Sequence, residues 1–259
     1  MELPTEITPV KQVDPITLII YGEPKQGKSA ICAELTKQSN ALILSLEPNG
    51  YDYLSARKID VDGPKKLNEF ITTMKEKGQI YDVLIVDTVT KLDEWSEIVG
   101  TYNYMRTSQG KRFNLGKDGK QITHDNPDWE SVHSLANGAG YRFSREWFLD
   151  TIETLSTLAP KIVLVAHIKD KYVGQVGDDY ITATEVDLTG KLKRILPSRV
   201  SGIAKFVREK NLGYLSFESN DGSVAGSRAA HLTGKILISE STDGTLKTHW
   251  DDIYLSLKK

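Results

Sequence analysis

Eight consecutive residues constrain this chain more than any others: Gly22-Glu23-Pro24-Lys25-Gln26-Gly27-Lys28-Ser29. They follow a β-branched and aromatic run, Ile16 to Tyr21, and open a stretch from Lys28 to about Lys37 that reads as a helix. The pattern G-x-x-x-x-G-K-[ST] in a strand-to-helix turn is a phosphate-binding loop. Its glycines let backbone N–H groups curl around an anion, and the helix start adds the positive end of its dipole. Lys28 is expected to reach the β- and γ-phosphates, and the Ser29 hydroxyl to bind Mg²⁺. Gly22 to Ser29, with Ala30 behind them, therefore form the expected ATP site. By chance the pattern arises in roughly one chain of this size in a hundred. Here it also has the strand before it and the helix after it that the chemistry requires.

The chain around the loop alternates strands and helices. Ala41–Leu46, Val83–Val86 and Ile162–Ala166 are continuous apolar runs. Leu67, Phe70, Ile71 and Met74 keep a helical period behind Gly63-Pro64, as do Leu92, Trp95, Ile98, Val99 and Tyr102, and Phe148, Ile152 and Leu155. Uninterrupted apolar strands between amphipathic helices predict an α/β fold, a mainly parallel sheet flanked by helices. Residues 1–15 read as an extended lead-in with three prolines, and 107–140 as a surface excursion rich in Gly, Lys, Asn and Asp. Over 200–259 a period of two, in Gly213–Phe217 and Lys235–Ser239, predicts antiparallel strands. A closing helix is expected on Trp250, Ile253, Tyr254 and Leu257. The 259 residues are expected to form a single domain.

Composition narrows the function classes. With 33 Lys+Arg against 35 Asp+Glu, the formal net charge is −2, so any nucleic-acid contact must come from a local patch. No run approaches the eighteen or so apolar residues of a membrane span, and mean hydropathy is −0.35. The first residues have no secretory pattern. Cys32, the one cysteine, excludes a disulfide framework and a cysteine zinc site. A cytoplasmic location and no membrane partner are the expectation. His124 and His133 flank Asp125 without zinc spacing.

Three strand-end residues complete the candidate site. Asp87 ends the apolar run Val83-Leu84-Ile85-Val86, where a carboxylate can share a nucleotide-bound Mg²⁺ with Ser29. Glu47 ends the second strand, placed to orient or deprotonate the water attacking the γ-phosphate. His167 ends the fourth, placed to sense that phosphate and relay it onward. Thr90-Lys91-Leu92-Asp93 fits a guanine-reading motif, but it follows Asp87 directly and no D-x-x-G is present, which argues against a GTPase. A small-molecule kinase would want an arginine-rich lid, and Arg142 and Arg145 are few for one.

Together, the loop, Glu47, Asp87-Thr88 and His167 resemble the RecA-like P-loop ATPases encoded by bacteriophages, and more narrowly the Sak-type single-strand annealing and recombination proteins. The resemblance spans roughly residues 16–240 and implies a RecA-like P-loop NTPase core, ATP and Mg²⁺ use, single-stranded DNA binding, and assembly into rings or filaments. The corresponding strand-end residue in RecA is usually glutamine, so His167 departs from that relative. In RecA-like proteins the loop after this strand contacts DNA, which implicates Lys169 and Lys171. Residues 188–210 carry Lys191, Lys193, Arg194, Arg199, Lys205, Arg208 and Lys210 against Glu209, a net +6. Lys111 and Arg112, beside Phe113, form a second basic segment suited to phosphates and stacked bases. The resemblance also implies a cationic finger from a neighbouring subunit, for which Arg208 and Lys210 share one side of an expected strand. A single-stranded-DNA-binding protein is a further expected partner, and a phage-encoded protein would work in the host cytoplasm. Two alternatives stay open: a nucleotide-gated scaffold with negligible turnover, binding DNA or a partner, and the kinase.

Overall fold

The computed structural model describes residues 3, 7, 9–10, 12–176, 179–219 and 222–258, with 170–176 and 179–183 described by backbone alone. In chain order the elements are β1 (Thr17–Tyr21), α1 (Lys28–Gln38), β2 (Ala41–Ser45), β3 (Lys58–Asp60), α2 (Pro64–Lys77), β4 (Val83–Asp87), α3 (Val89–Met105), α4 (Tyr141–Ser156), β5 (Lys161–Ala166), β6 (Ile168–Val176), β7 (Asp179–Val186), α5 (Leu192–Arg199), β8 (Gly202–Glu209), β9 (Leu212–Ser216), β10 (Gly226–Ser227), β11 (Lys235–Thr242), β12 (Thr245–Thr248) and α6 (Trp250–Ile253).

Ten of these strands form one sheet in the order β12-β11-β9-β8-β1-β5-β4-β2-β3, with β10 beside β8. The six from β8 to β3 are parallel to one another. This is the expected α/β architecture, a mainly parallel sheet flanked by helices with an antiparallel extension. The central strands read as continuous apolar runs because both faces are covered. Ile19, Leu42, Leu44, Ile162 and Leu164 turn one way, onto α2, α3, α4 and α5. Leu18, Ile20, Ile43, Val163 and Val165 turn the other way, onto Ile31, Cys32 and Leu35 of α1 and Trp250 and Ile253 of α6. Each such side chain contributes roughly 1.5–3 kcal/mol of burial. The Trp250 indole also donates to the Ile31 carbonyl (2.8 Å), tying the chain's end to α1.

Three sequence expectations change. Gly202–Glu209 is not part of an antiparallel unit on both sides: β8 runs parallel to β1 and antiparallel to β9 and β10. The cause is α5, which precedes it and supplies the crossover that parallel pairing needs. The basic run and Pro197 hide this helix in the sequence, but Pro197 falls in the last turn and Leu192 and Leu196 are buried. The segment after His167 is not a loop: residues 168–176 and 179–186 pair as a separate antiparallel hairpin, β6–β7, with a bulge between Tyr172 and Gly174. The closing helix is short, and Leu257 falls in a following 3₁₀ turn, Leu255–Leu257. Within the 107–140 excursion, Val132 is buried and its N–H donates to Thr101 Oγ1 of α3 (2.9 Å).

Candidate functional site

The site lies where the carboxyl ends of β1, β2, β4 and β5 line up. Register puts Ser45 opposite Asp87, Asp87 opposite Val165, and Tyr21 opposite Ala166. Each following residue therefore emerges at one edge, the place where open parallel sheets bind ligands. The loop from Gly22 to Ser29 fills the gap between β1 and α1. Gly22 must be glycine because a Cβ there would come within 2.8 Å of the Phe206 carbonyl oxygen of β8. Gly27 has φ 112° and is the helix N-cap, and α1 has neither a side-chain cap nor an acidic residue in its first turn. Its leading amides are thus arranged for an external anion, which fits a nucleotide phosphate.

Lys28 is buried, and its Nζ donates to the carbonyls of Gly22 (2.7 Å) and Glu23 (2.8 Å). Burial lowers its pKa, opposed by the negative charges of Asp87 and Glu47. Glu23, Pro24 and Lys25 form the exposed crown of the loop, with Lys25 at φ 61°. Ala30 follows Ser29 in the first turn of α1.

Ser29 Oγ donates to Asp87 Oδ2 (2.8 Å), so a hydroxyl and a carboxylate meet where the expected metal belongs. These hard oxygens suit Mg²⁺, which takes one or two protein groups plus phosphate and water. Bound there, the ion would neutralise phosphate charge. Burial raises the Asp87 pKa, although Tyr51 and Ser29 both donate to it.

Glu47 stands just past β2, half-buried. Its Oε1 accepts from Thr88 Oγ1 (2.9 Å) and lies 2.8 Å from His167 Nε2. Both contacts fall on one oxygen, which leaves Oε2 for a water. The bond to His167 holds the Glu47 pKa below its ordinary value, and the same bond raises that of His167. The His167 N–H donates to Thr90 Oγ1 (3.0 Å), while its Nδ1 is buried without a partner among the described residues. The proton of the neutral ring therefore belongs on Nε2, facing Glu47.

Tyr51 is a participant that sequence reasoning misses, and Thr88, named there only beside Asp87, gains a role. Thr88 caps α3 by accepting from the Lys91 N–H (3.2 Å) and also donates to Glu47. Its place directly after Asp87 is the available signal. Tyr51 Oη donates to Asp87 Oδ2 at 2.5 Å across 36 positions of sequence, and no local pattern announces that contact.

The basic residues are less concentrated than the sequence count implies. Lys191 and Arg194 are exposed, but Lys193 pairs with Glu185 (3.0 Å) and Lys169 Nζ lies 3.9 Å from Asp187. Lys171 lies in β6, and its side chain is outside the described residues. Lys111 and Arg112 are exposed in a 3₁₀ turn, Gly110–Arg112. Arg208 and Lys210 do not share a strand face, since β8 ends at Glu209 and Lys210 sits in the turn at φ 54°. Arg208 lies against its own loop, donating from a terminal guanidinium nitrogen to the Gln26 carbonyl (3.3 Å).

A family model described as AAA domain matches residues 14–229, the loop and every strand-end residue of the site included. The chain belongs to this AAA domain family. It is a P-loop ATPase domain of that family. No curated protein matches its sequence. Among solved structures, it is similar to a KaiC-like protein of the archaeon Pyrococcus horikoshii, at 12% identity and TM-score 0.45, over 90% of this chain and 89% of that one. It is also similar to the flagellar accessory protein FlaH of Methanocaldococcus jannaschii, at 11% identity and TM-score 0.39, over 92% and 91%. The P4 protein of bacteriophage phi6, solved with ADP, matches at 15% identity and TM-score 0.34, over 89% of this chain and 64% of that one. No helix among the described residues of this AAA domain is long and apolar enough to cross a membrane.

Proposed function

We propose that this AAA domain is a Mg²⁺-dependent ATPase that binds single-stranded DNA and promotes annealing or recombination as a homo-oligomer. In this reading Lys28 and the loop amides hold the phosphates, Ser29 and Asp87 the metal, and Glu47 the attacking water. One observation carries the coupling to DNA: His167 touches Glu47, and the next residue, Ile168, begins the β6–β7 hairpin. Lys169, Lys171, Lys191, Arg194, Lys111 and Arg112 are the proposed strand contacts, with Lys193 contributing once freed from Glu185. In the oligomer, Arg208 or Lys210 would serve a neighbour's γ-phosphate, and Arg208 would give up its Gln26 contact to do so. The motif resemblance supports a phage-encoded, Sak-type protein in the host cytoplasm, with a single-stranded-DNA-binding protein as a further partner.

The test is steady-state ATP hydrolysis with Mg²⁺, with and without single-stranded DNA, across protein concentration, with Lys28→Ala as the blank. A rate that rises with DNA and is steeper than first order in protein supports the proposal. A rate indifferent to DNA and strictly proportional to protein sinks it.

A second reading has its own observation. Glu47 already engages two donors, Thr88 and His167, on one oxygen, and the lowered pKa that results makes it a weaker base in the resting site. That favours a nucleotide-gated scaffold in which ATP drives assembly on DNA or a partner and hydrolysis only resets the state. ATP-dependent assembly with near-zero turnover is its signature.

A further inference from the structure

Asp87 is the most constrained group of the site. Two hydroxyls, Ser29 Oγ at 2.8 Å and Tyr51 Oη at 2.5 Å, converge on the same oxygen, Oδ2. They differ in what they are free to do. Ser29 is half-buried at the mouth of the loop, where its hydroxyl would be available to a bound Mg²⁺. Tyr51 is 2% exposed and belongs to the buried apolar cluster that includes Ile31, Cys32 and Ile85. A carboxylate turns readily about its last bond, and Ser29 alone would be a poor anchor at the moment the metal arrives. A donor fixed in the core does not move with the metal.

We propose that Tyr51 is a positioning residue for the metal-binding carboxylate: its hydroxyl holds Oδ2 of Asp87 and so fixes the direction in which the whole carboxylate faces a hydrated Mg²⁺. Groups that hydrogen-bond to ligating carboxylates set ligand orientation in this way. The same anchor reaches the base. Tyr51 is four residues beyond Glu47, and the Gly50 N–H donates to the Glu47 carbonyl (3.4 Å) while the Leu54 N–H donates to that of Tyr51 (3.0 Å). One core tyrosine thereby ties the Glu47 turn to the Asp87 strand end. The inference rests on reading this edge as a Mg²⁺–ATP site.

The competing explanation is a core tyrosine that only satisfies its own hydroxyl. Tyr51→Phe keeps the ring and removes the donor, so the two separate by metal dependence. The readout is equilibrium binding of a fluorescent ATP analogue to the full chain, first in EDTA and then across a Mg²⁺ titration. Positioning predicts unchanged affinity in EDTA, within about twofold, and a half-saturating Mg²⁺ concentration raised about tenfold. A variant with a lowered melting temperature but an unchanged Mg²⁺ titration overturns the proposal, as does one that no longer binds nucleotide in EDTA. If wild-type binding itself ignores Mg²⁺, the reading of the site fails, a result distinct from a variant that tracks a responsive wild type.

Discussion

The carboxyl edge of β1, β2, β4 and β5 and the basic region around the hairpin foot and α5 are built to different tolerances. At the edge, Ser29 and Tyr51 on Asp87, and Thr88 and His167 on Glu47, form two sets of contacts between 2.5 and 2.9 Å, joined through the Asp87–Thr88 backbone. Strand register fixes their backbones, and burial makes an unmet partner costly. In the basic region Lys191 and Arg194 project from a short helix into solvent, and Lys193 is occupied by Glu185. The contrast teaches that a parallel sheet specifies its edge chemistry atom by atom, whereas an amphipathic helix specifies only which face carries the charge.

Substitutions should expose this difference in tolerance. Lys28→Ala, at the most buried cation of the edge, is expected to lower turnover about 1000-fold and to abolish measurable ATP binding. Calorimetric titration with ATP checks it, and retained binding would break the comparison at its strongest point. Glu47→Gln preserves shape and a hydrogen-bonding group but removes the base. Turnover should fall about 100-fold or more, with ATP affinity nearly unchanged, as single-turnover and binding measurements would show.

On the other side, Lys191→Glu with Arg194→Glu should weaken single-stranded DNA binding about tenfold at low salt. The slope of log affinity against log salt should fall by about 1.4, for two lost phosphate contacts. Fluorescence anisotropy over a salt series reads both, and a loss of ATPase activity without DNA would mean the two regions are not separable. Lys193→Ala, which breaks the pair with Glu185, should cost less than about 1 kcal/mol of stability by urea unfolding, because the pair is partly exposed.

The Glu47–His167 pair sharpens the contrast through pH. Folding raises the His167 pKa, so its contribution is complete below the ordinary histidine value and fades as pH rises through the raised one. Folding lowers the Glu47 pKa, so its contribution is present above the ordinary glutamate value and is lost as pH falls through the lowered one. The stability gap between wild type and His167→Asn should therefore peak in mildly acidic solution and shrink toward alkaline pH. Melting curves from about pH 5 to pH 9 span the histidine range. A gap independent of pH would show that the contact is held without charge.

The edge is largely legible in the sequence because its signals are local. The loop is eight contiguous residues, Asp87 and His167 end apolar runs, and Glu47 follows one. What the sequence hides depends on distance or on weak apolarity. The Tyr51–Asp87 bond joins residues 36 apart, and only packing brings them together. The hairpin is concealed because Gly174, Gln175 and the charges at 169–171 interrupt any apolar alternation. Helix α5 is concealed because Pro197 reads as a breaker until its place in the last turn is seen. Arg208 reads as a finger reaching outward, but β8 lies against β1, so the end of that strand overhangs the chain's own loop.

The hairpin's position has a mechanical consequence. β6 spans nine residues and starts immediately after His167, whose N–H is pinned to Thr90. At about 3.3 Å per residue the strand is an arm of about 30 Å. A rotation of about 5° at its root, smaller than many side-chain adjustments, sweeps the far end through about 2.6 Å. Leverage also runs in reverse: a load on the distal end arrives at the histidine as a small displacement with a large torque.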